Sequence, residues 1–168
     1  YDFLIKAIAH IPENQRPKLV LVGNSSDEGW VNYLKTLANR KNVKLDIHSM
    51  ISDVELIKLY NTAKLVVYAP YLEPFGYVPL EAMACGTPVV GVKEGGVKET
   101  VQHNKTGLLT QRDEKSFAKA IITLSNNKEL WNKFSYNGIK TIQSYWTLEH
   151  AGNRLLNHIY RILDNQDD

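Results

Sequence analysis

The stretch Glu73-Pro-Phe-Gly-Tyr-Val-Pro-Leu-Glu81, followed at once by Ala82-Met-Ala-Cys-Gly-Thr-Pro-Val-Val90, decides the fold of this chain. It comes after a β-branched run, Lys64-Leu-Val-Val-Tyr68, of the kind that forms strands. The apolar run that begins after Gly76 stops at Gly86, and a second β-branched run follows. The pattern predicts strand, loop, helix and strand. In parallel α/β sheets ligands bind at the carboxyl ends of the strands, where this loop lies.

The first turn of the predicted helix, residues 76–78, is expected to bind an anion. Backbone N–H groups in a first helical turn have no helical carbonyl to donate to, and phosphates bind at such positions. Gly76 lets the backbone approach a phosphate closely. Pro79 suits a first turn, because its missing N–H costs nothing there.

Two carboxylates, Glu73 and Glu81, lie on either side of this turn. Carboxylates repel phosphate, but they accept strongly from hydroxyl groups. The ligand that suits the pattern is anionic in the middle and rich in hydroxyls on both sides, as a sugar nucleotide is. Taken singly, Glu81 is equally well explained as an acid that offsets the helix dipole, worth about 0.3–1 kcal/mol. Glu73 alone is explained as a solvated loop residue.

Strands alternate with helices along the rest of the chain, and the last part is helical. This order predicts an α/β fold with a Rossmann-like, doubly wound parallel sheet and carboxy-terminal helices. Ser52 and Glu55 have the spacing of a capping box. The predicted strands cover residues 18–22, 43–47, 65–68, 89–92 and 107–109, and the predicted helices cover 1–11, 28–38, 52–61, 78–85, 97–101, 113–125, 127–144 and 147–163.

Composition excludes several classes of protein. The 168 residues suit one domain, and 43% apolar with 23% charged residues is typical of globular proteins. A net charge of +2 without a basic block predicts no nucleic-acid partner. The single Cys85 excludes an internal disulfide. No apolar run approaches the roughly 18 residues of a transmembrane helix.

Other catalytic and cofactor motifs are absent from the sequence. The five histidines have no metal-ligand spacing, so no metal is expected. Neither a Gly-x-Ser-x-Gly elbow nor a Walker loop is present. Gly23-Asn-Ser-Ser-Asp27, which follows the first predicted strand, is not Gly-x-Gly-x-x-Gly, and this disfavours a nicotinamide-binding domain.

The stretch from Glu73 to Glu81 resembles the paired-glutamate motif (Glu, seven residues, Glu) of the retaining GT-B glycosyltransferases of family 4. Gly86-Thr-Pro-Val-Val90, Glu94-Gly-Gly-Val-Lys-Glu99 and Thr106-Gly-Leu-Leu109 fall where that family has its following motifs. The resemblance covers essentially the whole chain in order. It implies the carboxy-terminal, donor-binding Rossmann-like domain of such an enzyme, with residues 1–168 as one domain.

The resemblance implies a retaining glycosyl transfer from a nucleoside-diphosphate sugar, linked to UDP or GDP, with no required metal and no other cofactor. Glu73 would hold the hydroxyls of the transferred sugar as the catalytic residue, and Glu81 would hold the ribose hydroxyls. The other donor-binding residues that it assigns to this loop and helix are Phe75, Gly76, Tyr77 and Val78.

Four further donor-binding residues follow the first two strands, and for both pairs two interpretations remain open. By resemblance, Gly23 and Asn24 lie beside the donor's phosphate and sugar; otherwise they form a plain turn. By resemblance, the backbone at Met50 and Ile51 hydrogen-bonds the nucleobase edge while their side chains pack on its face. Otherwise this is an ordinary loop with Met50 tucked into the core.

The family's donor domain begins with a strand that ends in Gly-Arg with a lysine nearby, and here residue 1 already belongs to the next helix. We therefore expect a sheet that lacks its first, central strand. We also expect a fragment of a longer two-domain enzyme that is inactive by itself. We expect this missing first strand to be disordered, to lie on a separate piece, or to be supplied by a neighbouring chain. Lys93 and Lys98 either replace some of the missing positive charge or form a solvated rim.

Two other functions remain open from the sequence. One is a different GT-B enzyme, such as an epimerase or a phosphorylase, since fold does not fix the reaction. The other is a non-catalytic sugar-nucleotide-binding subunit. The expected partners are the nucleotide sugar and the missing amino-terminal acceptor domain. The resemblance implies that the last helix, opened by Trp146, packs on that domain. The expected location is cytoplasmic, with peripheral membrane contact through the missing domain.

Overall fold

The structure, a computed structural model, describes residues 1–24 and 27–164. Residues 25 and 26, in the turn predicted after the first strand, lie outside the described residues. The strands are β1 (Leu19–Gly23), β2 (Leu45–Ser49), β3 (Val66–Tyr68), β4 (Val89–Val92) and β5 (Gly107–Thr110). The helices are α1 (Asp2–Ala9), α2 (Glu28–Arg40), α3 (Asp53–Thr62), α4 (Tyr77–Ala84), α5 (Val97–Thr100), α6 (Glu114–Asn126), α7 (Lys128–Thr141) and α8 (Leu148–Asp164), with a 3₁₀ turn at Glu13–Gln15 and a π-helical turn at Ile142–Trp146.

The predicted order of helices and strands is confirmed, but the second strand begins two residues later than the prediction of residues 43–47. The N–H of Val43 donates to the carbonyl of Ala38 at 2.9 Å, which keeps Val43 within the turn that ends α2. Asn42 takes a left-handed φ of 53° in that turn. The chain therefore becomes extended only after this turn, at β2.

All strand pairs are parallel, but the described residues form two sheets instead of one. β1 pairs with β2 in one sheet, and β3, β4 and β5 follow in that order in the other. In the predicted order the absent central strand lies between β1 and β3. The break between the two sheets falls at that position.

Helices cover the three-stranded sheet on both faces, whereas Asp46 and His48 of β2 are exposed on one face of the two-stranded sheet. Successive side chains of a strand point to opposite faces of its sheet, and β4 shows the result: Val90 belongs to the larger core and Val89 to the smaller one. The larger core also contains Leu19 and Leu21 of β1, so it joins the two sheets. This is the doubly wound arrangement that apolar strands predict.

Local side-chain caps account for several helix starts. The predicted capping box is confirmed: the Glu55 N–H donates to Ser52 Oγ at 3.3 Å, and the Ser52 N–H donates to Glu55 Oε2 at 2.9 Å. At α6, Asp113 Oδ1 accepts from the Ser116 N–H at 2.7 Å. Such caps satisfy first-turn donors that have no helical partner.

The end of the chain differs from the prediction in one respect. Trp146 does not open the last helix but ends the π-helical turn before α8. The predicted apolar stripe of that helix is present, yet no described residue of α8 is buried, and the side chain of Leu148 is 93% exposed.

Candidate functional site

The start of α4 depends on a backbone conformation that suits glycine. Gly76 caps the helix with φ 88° and ψ 65°, in the left-handed region. The position of a Cβ on Gly76 is already 3.4 Å from Thr100 Oγ1, which belongs to α5. The loop after β3 therefore turns into the helix beside α5, at the carboxyl end of the three-stranded sheet.

The Glu73 carboxylate accepts hydrogen bonds from backbone N–H groups just before this helix. Its Oε1 accepts from the Gly76 N–H at 3.2 Å and lies 3.5 Å from the Phe75 nitrogen. At Gly76, the predicted anion site thus holds the protein's own carboxylate. Tyr77 and Val78 follow in the first helical turn, where N–H groups have no earlier helical carbonyl.

Glu81 is held by a phenol that the sequence did not indicate. The hydroxyl of Tyr60 donates to Glu81 Oε2 at 2.8 Å. Burial and then this hydrogen bond raise the pKa of Tyr60, which keeps its hydroxyl a neutral donor. Tyr60 lies near the end of α3, 21 residues before Glu81, so no local spacing links the two.

Tyr68 ends β3, directly before the loop that carries Glu73. Burial, followed by the charge of Glu73, raises the pKa of Tyr68 to about 12, and the charge of Glu81 acts in the same direction. The charges of both predicted acids thus raise the pKa of the same phenol. Its place at the carboxyl end of a predicted strand was the signal that could have identified Tyr68 beforehand.

Two glycines bring the neighbouring loop directly against Glu73. The Gly96 N–H donates to the Glu73 carbonyl at 3.0 Å. A Cβ on Gly95 would overlap the Glu73 carbonyl oxygen, and a Cβ on Gly96 would overlap the backbone of Phe75. The Glu-Gly-Gly motif is therefore needed for close packing between backbones.

Arg112, which follows β5, ties three carboxyl-end loops together. Its Nη2 donates to Glu94 Oε2 at 2.6 Å, and its Nε lies 3.1 Å from both Glu94 oxygens. Its Nη1 donates to the Ala69 carbonyl at 3.3 Å, and Nη2 also donates to the Pro70 carbonyl. No sequence pattern indicated this role for Arg112, because its partners lie 18 to 43 residues away.

The predicted residues after β1 and β2 lie on the two-stranded sheet. The Met50 N–H donates to the Gly23 carbonyl at 3.1 Å, which brings the two strand ends together. Met50 has a left-handed φ of 55° and is 75% exposed, so the alternative of a core position is wrong. Asn24 is exposed and Ile51 is half-buried.

An aromatic cluster supports the loop before α4. The Phe75 ring lies 4.7 Å from the Tyr77 ring and 5.7 Å from the Trp146 ring, centroid to centroid. The Phe75 ring therefore packs on two other aromatic rings, and its backbone N–H points toward the Glu73 carboxylate. Lys93 and Lys98, on the neighbouring loop and α5, are both exposed.

Neither a metal cluster nor a membrane span is found within residues 1–24 and 27–164. No group of three or more His, Cys, Asp or Glu side chains there is placed to hold a metal ion. No helix in the same ranges is both long and apolar enough to cross a membrane.

The parallel strands, the helices packed on them and the glycine-capped start of α4 together give an α/β domain of the GT-B type. Residues 1–141 match the family described as Glycosyl transferases group 1. The chain belongs to this family, as the paired-glutamate stretch implies.

Known relatives share both sequence and fold with this chain. It is 31% identical over 161 residues to the uncharacterized glycosyltransferase MJ1607 of Methanocaldococcus jannaschii, covering 86% of this chain and 40% of that protein. It is 30% identical to the sucrose-phosphate synthase structure from Thermosynechococcus elongatus, with a TM-score of 0.80 over 98% of this chain and 42% of the other. It is 25% identical to the structure of Anabaena Alr3699/HepE in complex with UDP-glucose, with a TM-score of 0.82 over 95% and 44%. The chain thus spans less than half the length of each relative.

Proposed function

We propose that this chain is the carboxy-terminal donor domain of a glycosyltransferase that uses a UDP- or GDP-linked sugar and transfers a hexosyl group with retention. The observation that carries the proposal is geometric: the Glu73 carboxylate binds the Gly76 N–H at the start of α4, and Glu81 lies on the same helix about one turn further on. The relative crystallised with UDP-glucose supports a nucleotide sugar as the ligand. We assign the acceptor site to a further domain, because the chain matches only 40–44% of the length of the three relatives named above.

The donor diphosphate would bind at the first turn of α4, through the N–H groups of Gly76, Tyr77 and Val78. The Gly76 N–H now donates to Glu73. A diphosphate that takes over this N–H releases the Glu73 carboxylate, which then accepts from hydroxyls of the transferred sugar. The helix N-terminus stabilises the charge that develops on the leaving diphosphate, so the proposal requires no metal ion.

The nucleoside would extend from the diphosphate toward the two-stranded sheet. Glu81 accepts from the ribose hydroxyls, and Gly23 and Asn24 lie beside the phosphate and sugar. The exposed side chain of Met50 covers the base, with backbone groups of Met50 and Ile51 at its edge. A cytoplasmic location, membrane contact through the further domain, and inactivity of this chain by itself belong to the same proposal.

The test is the affinity of a Glu81→Ala variant of the full-length protein. A thermal-shift screen of UDP, GDP and their sugars first selects the nucleotide, and calorimetry then measures its Kd. We expect the Kd to rise about tenfold, because a hydrogen bond to a charged group contributes roughly 1.5–3 kcal/mol. The control is Glu149→Ala, which removes an exposed acid from a different helix, α8. Glu81 itself lies beyond the first turn of α4, so an effect on the helix dipole does not account for it.

An unchanged Kd in Glu81→Ala would remove Glu81 from the site. An equal rise in the nucleotide Kd in the Glu81→Ala and Glu149→Ala variants would lead to the same conclusion. The stereochemistry is tested separately: proton NMR of the product formed by the full-length protein shows whether the anomeric configuration is retained.

A further inference from the structure

The ring of Tyr60 is buried, whereas its hydroxyl group reaches the edge of the core. Its ring belongs to the smaller core, together with Ala82 and Met83 of α4, and the residue is only 9% exposed. A buried phenol normally finds a hydrogen-bond partner for its hydroxyl. Here that partner is Glu81 Oε2, at 2.8 Å. The core thus fixes the ring while the hydroxyl reaches the acid on the surface of α4.

The backbone of Tyr60 is fixed as well. The Thr87 hydroxyl donates to the Tyr60 carbonyl at 2.7 Å, and Thr87 is 3% exposed. Thr87 lies between α4 and β4, so this bond ties the end of α3 to the chain that carries Glu81. Tyr60 is therefore held at its ring and at its carbonyl, and its hydroxyl is a preorganised donor.

Glu81 without this donor would be a long side chain on an exposed helix surface. Ordering such a side chain costs up to about 1.5–2 kcal/mol of conformational free energy, which ligand binding would otherwise have to supply. A carboxylate has about four acceptor sites on its two oxygens. The hydrogen bond from Tyr60 uses one of them and leaves acceptor capacity for ligand hydroxyls.

We infer that Tyr60 is a positioning residue, which holds the Glu81 carboxylate in the orientation that receives the ribose hydroxyls of the donor. This inference rests on the proposed function, because it takes Glu81 as the ribose-binding acid. It goes beyond the paired-glutamate motif, since it places a determinant of ribose recognition on α3. Tyr60 acts through Glu81 and does not itself touch the ligand.

A purely structural role predicts a different result from a positioning role. Phe at position 60 would fill the same space in the smaller core, so packing alone requires no hydroxyl. The hydroxyl matters only if its bond to Glu81 matters. The two roles are separated by a nucleotide that lacks the ribose hydroxyls, since positioning of Glu81 has no value for such a ligand.

The experiment compares Tyr60→Phe with the unmodified full-length protein. Calorimetry measures the Kd of UDP, or of GDP where the screen selects it, and of the 2′,3′-dideoxy form of the same nucleotide. We expect the Kd of the ribonucleotide to rise about five- to tenfold and that of the dideoxy form to stay unchanged. Tyr136→Phe, which removes an exposed phenol from α7, is the control and should change neither Kd.

The double variant Tyr60→Phe with Glu81→Ala shows whether Tyr60 acts through Glu81. If it does, the double variant binds no more weakly than Glu81→Ala alone, because the two losses are not additive. Equal losses for both nucleotides in Tyr60→Phe, or additive losses in the double variant, would overturn the positioning role.

An unchanged ribonucleotide Kd in Tyr60→Phe, beside a clear loss in Glu81→Ala, would also overturn the positioning role and leave the proposed function standing. Failure of Glu81→Ala itself would instead count against the proposed function. Thermal unfolding of each variant verifies that it is folded before its Kd is compared.

Discussion

The two sheets differ in how closely the candidate ligand-binding loops at their carboxyl ends are packed. After β3, β4 and β5 the loops touch backbone to backbone, with the Gly96 N–H on the Glu73 carbonyl and with Arg112 bonded across them. Among the described residues that follow β1 and β2, a backbone hydrogen bond joins Met50 to Gly23, and the Met50 side chain is largely exposed. We call these regions the three-stranded half and the two-stranded half.

The difference corresponds to what each half is proposed to bind. Diphosphate and sugar hydroxyls require donors and acceptors at fixed positions, and close backbone packing supplies them in advance. A flat nucleobase can be covered by a flexible apolar side chain such as that of Met50, because methionine adapts to the surface it packs on. We therefore expect changes in the three-stranded half to affect folding and binding, and changes in the two-stranded half to affect binding alone.

The largest effect is expected from Gly96→Ala. Its Cβ would overlap backbone atoms of Phe75, which cannot move without opening the loop that carries Glu73. We expect a loss of about 3 kcal/mol in the free energy of unfolding, at the upper end of the range for overpacking, measured with denaturant, and loss of nucleotide binding. The control is Gly152→Ala in α8, where a Cβ meets nothing within 4 Å and should add up to about 1 kcal/mol of stability. Similar stabilities for the two variants would contradict the close packing.

The second effect contrasts an ion pair of each half. Arg112→Ala removes bonds to Glu94 and to two carbonyl groups, and should lower the free energy of unfolding by about 2–3 kcal/mol. Lys18→Ala removes the exposed pair with Asp46, whose Nζ and Oδ2 atoms are 2.8 Å apart, and should lower the free energy of unfolding far less than Arg112→Ala does, because water screens an exposed pair. Equal costs, measured by denaturant unfolding under the same conditions, would mean that Arg112 does not tie the loops.

The smallest effect is expected from Met50→Ala. Because the Met50 side chain is 75% exposed, its loss should leave the free energy of unfolding within about 0.5 kcal/mol. The Kd of the nucleotide should rise by about threefold, from lost apolar contact with the base. A variant that is clearly destabilised, or one that binds as well as the parent, would remove Met50 from the proposed base site.

Local patterns in the sequence were sufficient for much of this architecture. The alternation of β-branched runs with helical stretches predicted the order of the helices and strands. Hydrophobic periodicity and the secondary-structure propensity of each residue depend only on residues a few positions apart. The capping box at Ser52 and Glu55 was predicted by spacing alone and is confirmed. The start of β2 was predicted too early because the turn that ends α2 retains Val43 through its bond to Ala38.

The supporting residues of the candidate site were not predictable in the same way. Tyr60 and Arg112 reach their partners across 21 and 18 residues or more, and nothing in their local sequence marks them. Phe75 was assigned to the donor, but its ring contacts Trp146, 71 positions further along the chain. These contacts depend on how helices pack on the sheet, which spacing along one segment does not encode.

The amino-acid order alone was enough to indicate an α/β chain with two acids on either side of a glycine-capped helix start, because turn chemistry and helix periodicity are local properties. Only the folded arrangement decided how those acids are held: Glu73 on the amides of its own loop, and Glu81 on the phenol of Tyr60. It also decided that the strands divide into two sheets. The physical reason is that these contacts join residues far apart in the chain, and their geometry exists only after the cores have packed.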